Sequence, residues 1–218
     1  MLEIDNVELE YGRKKVLYGI YIKAEAGEVT GILGRNGSGK TSLLRILFGT
    51  LHPKYKNVRL NGVHQKTDLF KTNSIGYLPQ HQLLPPSISV MKTFHLFHQN
   101  WEGFVQEFQL FDKYKKAKIK HLSSGERRVM ETYLILMTKK DIILLDEPFS
   151  FIAPLYIDKI KALIRRQQKE KIIMITDHLY EEILDISDTV YYLKDGRSKI
   201  IDSKEVLINE GYINNSLD

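Results

Sequence analysis

A chain of 218 residues with 43% hydrophobic and 27% charged positions has the composition of a folded globular protein, long enough for one good core with an insertion. It contains no cysteine, which excludes disulfides, thiolate metal ligands and a cysteine nucleophile and fits a reducing compartment. A net charge of +5 is compatible with nucleic acid, an anionic membrane face or neither. No apolar run is long enough to cross a bilayer, and Met1 to Asp5 carries acids where a secretory signal carries bases, so neither spanning nor secretion is expected.

In chain order, Leu2, Ile4, Val7 and Leu9 alternate as a half-buried strand, Gly12 and Arg13 make a turn, and strand patterning resumes from Val16 to Ile22. This predicts a small antiparallel layer. Val29-Thr30-Gly31-Ile32-Leu33 is an apolar strand that ends at glycine, and Ser42 to Phe48 is patterned as a helix. Between them, Gly34-Arg35-Asn36-Gly37-Ser38-Gly39-Lys40-Thr41 matches GxxxxGK[ST] in a strand-loop-helix setting. In such a loop the glycines let successive N–H groups face phosphates, and the helix N-terminus adds its dipole. Lys40 is assigned to the β/γ-phosphates and Thr41 to Mg²⁺, with Ser42 completing the nucleotide contacts.

From Ser87 to Thr138 the periodicity is helical, with Phe94, Phe97, Trp101, Phe104, Phe108 and Phe111 spaced alternately by three and four. The rings form either the core of a helical insertion or a groove for a partner's helix. The chain is therefore read as one domain over 1–218, with an ATPase core at 1–86 and 139–218 and a helical subdomain at 87–138. Within the insertion, Leu122-Ser123-Ser124-Gly125-Glu126 opens a helix with a capping-box pattern of Ser123 and Glu126. Thr138-Lys139-Lys140-Asp141 looks like a guanine-reading box, but it precedes a strand, at the wrong end of a sheet for a nucleotide. It is read as a solvated turn, and adenine is the favoured base.

Ile142 to Leu145 and Ile172 to Ile175 are continuous apolar runs, as expected of parallel strands covered on both faces. Ligands bind beyond the carboxyl ends of such strands, so Asp146, Glu147, Thr176, Asp177 and His178 should converge with the Gly34 loop. Asp146 is assigned to Mg²⁺, and Glu147 to the water attacking the γ-phosphate. The expected fold class is α/β, a P-loop NTPase core with a mostly parallel sheet, an N-terminal antiparallel β layer and an inserted helical subdomain.

The Gly34–Thr41 loop, the Ser123–Glu126 helix start and the Asp146-Glu147 pair, in this order, resemble the ATP-binding-cassette family, whose signature is usually Leu-Ser-Gly-Gly-Gln. The resemblance covers nearly the whole chain. It implies that Tyr11 stacks on adenine, that Gln80 in Tyr77-Leu78-Pro79-Gln80 senses Mg²⁺ and the attacking water, and that His178 contacts the γ-phosphate. It also implies that Ser123, Ser124 and Gly125 face the nucleotide of a second cassette, so that the active unit is a dimer, here expected to be a homodimer. The combination of Tyr77-Leu78-Pro79-Gln80, Gly125-Glu126-Arg127-Arg128, Leu144-Leu145-Asp146-Glu147-Pro148-Phe149 and Ile175-Thr176-Asp177-His178 is most similar to the lipopolysaccharide-export and branched-chain-amino-acid-import ATPases.

The implied function is Mg-dependent ATP hydrolysis that drives separate integral membrane transporter subunits. The implied location is the cytoplasm, peripheral on the inner face of the cell membrane through those partners. Three features depart from the family pattern: Ser124 for glycine, Glu126 for glutamine, and Ala153 for the aspartate that ends the D-loop Ser150-Phe151-Ile152-Ala153. The loss at Ala153 predicts altered coupling or slower turnover. Two alternatives stay open: a soluble cassette ATPase acting on nucleic acid or ribosomes, and a weakly hydrolysing regulatory cassette. The basic cluster Lys113, Lys115, Lys116, Lys118 and Lys120 is read as a solvated face, and nucleic acid is not expected as a partner.

Overall fold

A computed structural model describes residues 1–213; the last five positions of the expected 1–218 domain lie outside the described residues. The N-terminal layer contains β1 (Leu2–Tyr11), β2 (Lys14–Leu17) and β3 (Tyr21–Ala24). Next come β4 (Val29–Leu33), α1 (Lys40–Phe48), β5 (Tyr55–Leu60), β6 (Val63–His64) and β7 (Ile75–Leu78). The following stretch is helical, with α2 (Val90–Leu96), α3 (Trp101–Glu107) and α4 (Ser124–Leu136). The chain then alternates β8 (Ile142–Asp146), α5 (Pro154–Gln167), β9 (Ile172–Thr176) and α6 (Tyr180–Ile186). The hairpin β10 (Thr189–Lys194) and β11 (Arg197–Ile201) precedes α7 (Lys204–Asn209).

The central sheet has the order β11-β10-β4-β9-β8-β7, and only the β10–β11 pairing is antiparallel. Side chains alternate along its strands, and the two sets enter different cores. Ile142, Leu144, Ile172 and Met174 pack with Leu43, Leu44 and Ile4 beneath the N-terminal layer and α1. Ile143, Leu145, Ile173 and Ile175 pack on the opposite face with Val129, Leu134, Ile160 and Ile183 from α4, α5 and α6. Both faces are covered, which is why these strands read as unbroken apolar runs.

One sequence expectation is corrected. The run from Val16 to Ile22 is not one strand, because the N–H groups of Tyr18 and Gly19 both donate to Gly196 O and draw the chain toward the β10–β11 turn. β2 and β3 therefore pair separately with the two ends of β1. The aromatic stripe of the helical insertion is divided between α2, α3 and the turn after α3. His98 has a positive φ of 53°, and Asn100 restarts the helix by accepting from the N–H groups of Glu102 and Gly103.

The rings nevertheless form a core of their own. Phe104 meets Phe94, Trp101, Phe108, Phe111 and Tyr133 at centroid distances of 4.9–5.6 Å. Phe97 is only half-buried at its edge. Of the two readings of the stripe, an internal core is the one realised. No helix among the described residues is long and apolar enough to cross a membrane.

Candidate functional site

β4 is buried along its whole length and delivers Gly34–Gly39 at its carboxyl end. Gly37 and Gly39 take φ of 80° and 104°, left-handed values that cost a residue with a Cβ about 1–2 kcal/mol. Gly39 also caps α1, and a Cβ there would lie 2.7 Å from Leu17. The loop is thus folded back on the N-terminal layer by glycine alone. Lys40 is buried, and its Nζ donates to Gly34 O at 2.6 Å and Arg35 O at 3.4 Å. Burial pushes its ammonium below the ordinary lysine value, against the pull of Glu147, Asp146 and Asp177.

A cleft of about 410 Å³ lies over this loop, lined by Tyr11, Lys14, Val16, Asn36, Gly37, Gly39, Lys40, Thr41, Ser42, Gln80 and Glu147. Tyr11 is half-exposed, and its hydroxyl is 3.4 Å from Ser42 Oγ. Arg35 turns away to donate to Gly211 O, and it lines a second depression of about 590 Å³ on the loop's other flank, away from Asp146 and Glu147. Ser38 Oγ is buried and has no hydrogen-bond partner among the described residues. Lys14 and Val16, which the sequence reading did not single out, come to the cleft because β2 folds over the loop.

Asp146, at the end of β8, is fully buried. Its Oδ1 accepts from Thr41 Oγ1 at 3.1 Å and its Oδ2 from the Tyr77 hydroxyl at 3.1 Å. Burial pushes its carboxyl above the ordinary aspartate value, and these two hydrogen bonds oppose the shift. Burial beside Asp146 also raises the Tyr77 phenol. Glu147 has a φ of 60°, an uncommon conformation for a residue with a side chain, and its N–H donates to Thr176 O at 2.6 Å.

The Glu147 carboxylate accepts from Gln80 Nε2 at 3.0 Å and from Ser150 Oγ at 3.2 Å. Ser150 Oγ is also 3.4 Å from His178 Nδ1, which lies 3.9 Å from Glu147 Oε2 and 3.3 Å from Asp177 Oδ1. Asp177 is buried and accepts from the Phe149 and Leu179 N–H groups; its burial raises its carboxyl. Gln80, Glu147, Ser150 and His178 thus form one hydrogen-bonded array at the end of β8 and β9, although Gln80 and Glu147 are 67 positions apart.

Thr41 and Asp146 offer converging hard oxygen donors, and turning Nε2 toward Glu147 leaves the Gln80 amide oxygen available as a third. Among the described residues no group of three or more His, Cys, Asp or Glu is placed to hold a metal. With only these oxygen donors supplied by the protein, a cation here would take its remaining ligands from phosphate and water, as Mg²⁺ does at phosphate sites.

Ser123, Ser124 and Gly125 stand outside the cleft. Ser123 Oγ accepts from the Glu126 N–H, and Glu126 Oε2 accepts from the Ser123 N–H, which closes the expected capping box. The Tyr114 hydroxyl donates to the same carboxylate, at 2.9 Å. Gly125 has no room for a side chain, since a Cβ would lie 2.3 Å from Phe151 O.

The profile of the ABC transporter family matches residues 17–150. An uncharacterized ABC transporter ATP-binding protein of Methanocaldococcus jannaschii is 31% identical over 208 residues, covering 90% of this chain and 75% of its own length. The lipopolysaccharide export system ATP-binding protein LptB of Acidithiobacillus ferridurans is 28% identical over 229 residues, covering 96% and 93%. Among solved structures, a dimeric, post-hydrolysis ATP-binding cassette bound to ADP and Pi superposes with a TM-score of 0.78 at 20% identity, covering 93% of this chain and 100% of that one. At that identity the likeness concerns the fold.

Proposed function

The chain belongs to the ABC transporter family, and we propose that it is the Mg-dependent ATP-hydrolysing cassette of a transporter, working as a dimer on separate membrane subunits. The observation that carries this reading is the array of Gln80, Glu147, Ser150 and His178 at the mouth of the cleft built by the Gly34–Thr41 loop. Adenine stacks on Tyr11. The phosphates lie along the N–H groups from Asn36 to Ser42, with Gly34 shaping the turn and Arg35 contributing backbone only. Lys40 exchanges its carbonyl partners for phosphate oxygens.

Thr41, Asp146 and Gln80 would hold Mg²⁺, which neutralises charge on the β- and γ-phosphates when bound. Glu147, fixed by Gln80 and Ser150, orients the attacking water and accepts its proton, while His178 holds the γ-phosphate side of the array. Ser123, Ser124 and Gly125, lying outside this cleft, suit a nucleotide held by a second copy; α4 offers it N–H groups and a positive helix end. Residues 87–138 act as the helical subdomain that carries this signature, and residues 1–86 and 139–218 as the ATPase core. Attachment to membrane subunits puts the chain on the inner face of the cell membrane.

The test is Glu147→Gln, assayed beside the parent with its membrane partners present. Phosphate release should fall by roughly 10²-fold or more, the typical contribution of a positioned base. ATP should still bind, and a dimer should persist in ATP by size-exclusion chromatography. A parent that releases no phosphate under these conditions overturns the hydrolytic reading in favour of a regulatory cassette.

A further inference from the structure

α4 does more than present Ser123–Gly125 at its N-terminus. One turn further in, Arg128 is 6% exposed and spends its side-chain donors on backbone carbonyls of two remote segments. Nη1 donates to Pro79 O at 2.7 Å, Nε and Nη2 each donate to Glu147 O at 3.1 Å, and Nη2 also donates to Asp146 O. Pro79 directly precedes Gln80. The guanidinium therefore grips the backbone next to one member of the catalytic array and the backbone of another.

A second grip lies one turn along the helix. Glu131 Oε1 accepts from the N–H groups of Leu83 and Leu84 at 3.1 Å, while its Oε2 lies 3.9 Å from Arg128 Nη1. The turn containing Gln80 is thus tied to α4 at both ends, at Pro79 and at Leu83-Leu84. Glu147, in its left-handed conformation, is tied to the same helix through its carbonyl.

Taking the hydrolytic reading as its premise, we infer that Arg128 is a positioning residue that holds Gln80 and Glu147 in register from the helix carrying Ser123–Gly125. A shift of α4 then moves both groups together, so that engagement of the signature is reported directly to the chain's own catalytic array. The planar fork meets carbonyls of two segments through donors on three nitrogens in fixed geometry; a lysine ammonium of similar reach has three donors on one atom and cannot reproduce all four contacts.

The test compares the parent, Arg128→Lys, and the neutral pair Arg128→Met with Glu131→Gln, in the full chain with its partners. The double variant removes both buried charges together, avoiding the cost of stranding one of them, and its glutamine oxygen still accepts from Leu83 and Leu84. Both variants should bind ATP within about threefold of the parent and show kcat lowered by roughly 10- to 100-fold, the scale of a small misplacement of reacting groups. In a Gln80→Ala background, the kcat loss from Arg128→Lys should shrink by about threefold or more, because the part exerted through Gln80 is already gone and only the part exerted through Glu147 remains.

Parental kcat in the double variant overturns the proposal, since Arg128 would then be a structural ion-pair partner only. A loss that multiplies in full with Gln80→Ala, or that appears as weakened ATP binding at unchanged kcat, overturns it as well. Failure of the hydrolytic reading is separately visible, as absence of turnover in the parent.

Discussion

Ala153 sits at the residue before α5 with extended backbone (φ −69°, ψ 145°), the position from which a short polar side chain closes a helix. No side-chain hydrogen bond is made there, and Pro154 follows at the first helical position. Ala153→Asp should therefore add about 0.5–2 kcal/mol of stability through the cap alone, measured by urea unfolding without nucleotide. If the missing carboxylate also serves coupling between two cassettes, the same substitution should raise ATP turnover and ATP-dependent dimerisation. Unchanged values of both, beside the expected gain in stability, would confine Ala153 to a helix-end role. Contiguous motifs make the residues of the Gly34 loop, Asp146 and Glu147 legible in the sequence. Tyr77, Ser150 and Arg128 occur in quoted motifs, yet their roles are not legible there, because their partners lie 69, 28 and up to 49 positions away. The apolar strand before Asp146 and the helix start at Ser123 fix where the ends of these elements lie, and leave open which carbonyls an arginine meets.

At the scale of elements, the helical segment depends on Phe104, whose ring meets five other aromatic rings. Phe104→Ala should cost about 3–5 kcal/mol, read as a fall in the urea midpoint with little change in slope. Its spacing with Phe94, Trp101, Phe108 and Phe111 is visible in the sequence and identifies a common buried face. The helix breaks are not visible in that spacing, because they come from local polar groups. α2 stops at Leu96 ahead of the positive φ of His98, Asn100 opens α3, and a run of apolar positions carries no record of either. The same limit explains the β2–β3 break, where alternation continues through Tyr18 and Gly19 although both N–H groups are committed to the β10–β11 turn. By contrast, β4, β8 and β9 are legible as strands because each is buried along its whole length, whereas β7 and β10, whose burial is interrupted at Tyr77 and at the ends of β10, are not read from the sequence.

At the scale of the whole molecule, the carboxyl ends of β8 and β9 bring Asp146 and Asp177 into the interior, where burial raises both carboxyls above their ordinary values. A carboxyl raised on folding binds its proton more tightly in the native state. Its ionisation therefore costs stability above the folded pKa, and the cost disappears as pH falls through the folded and then the unfolded value. Asp146→Asn should accordingly raise the melting temperature at about pH 8, with the gain shrinking toward about pH 4, even as Mg-dependent turnover is lost. Thermal unfolding across that range checks the sign, and a gain that grows on acidification would reverse it. Glu126 behaves oppositely. Although burial resists, hydrogen bonds from Ser123 and Tyr114 hold its carboxyl below the ordinary glutamate value, so its contribution is present at neutral pH and lost in acid. The missing side chain of Gly125 has its own consequence for motion. With Phe151 O close against that glycine, movement of the start of α4 toward the segment from Ser150 to Ile152 displaces that segment, and Ser150 in turn holds Glu147 and His178. In kinetic terms these parts share one reaction coordinate, and reporters on the helix and on the loop would relax with a single rate constant.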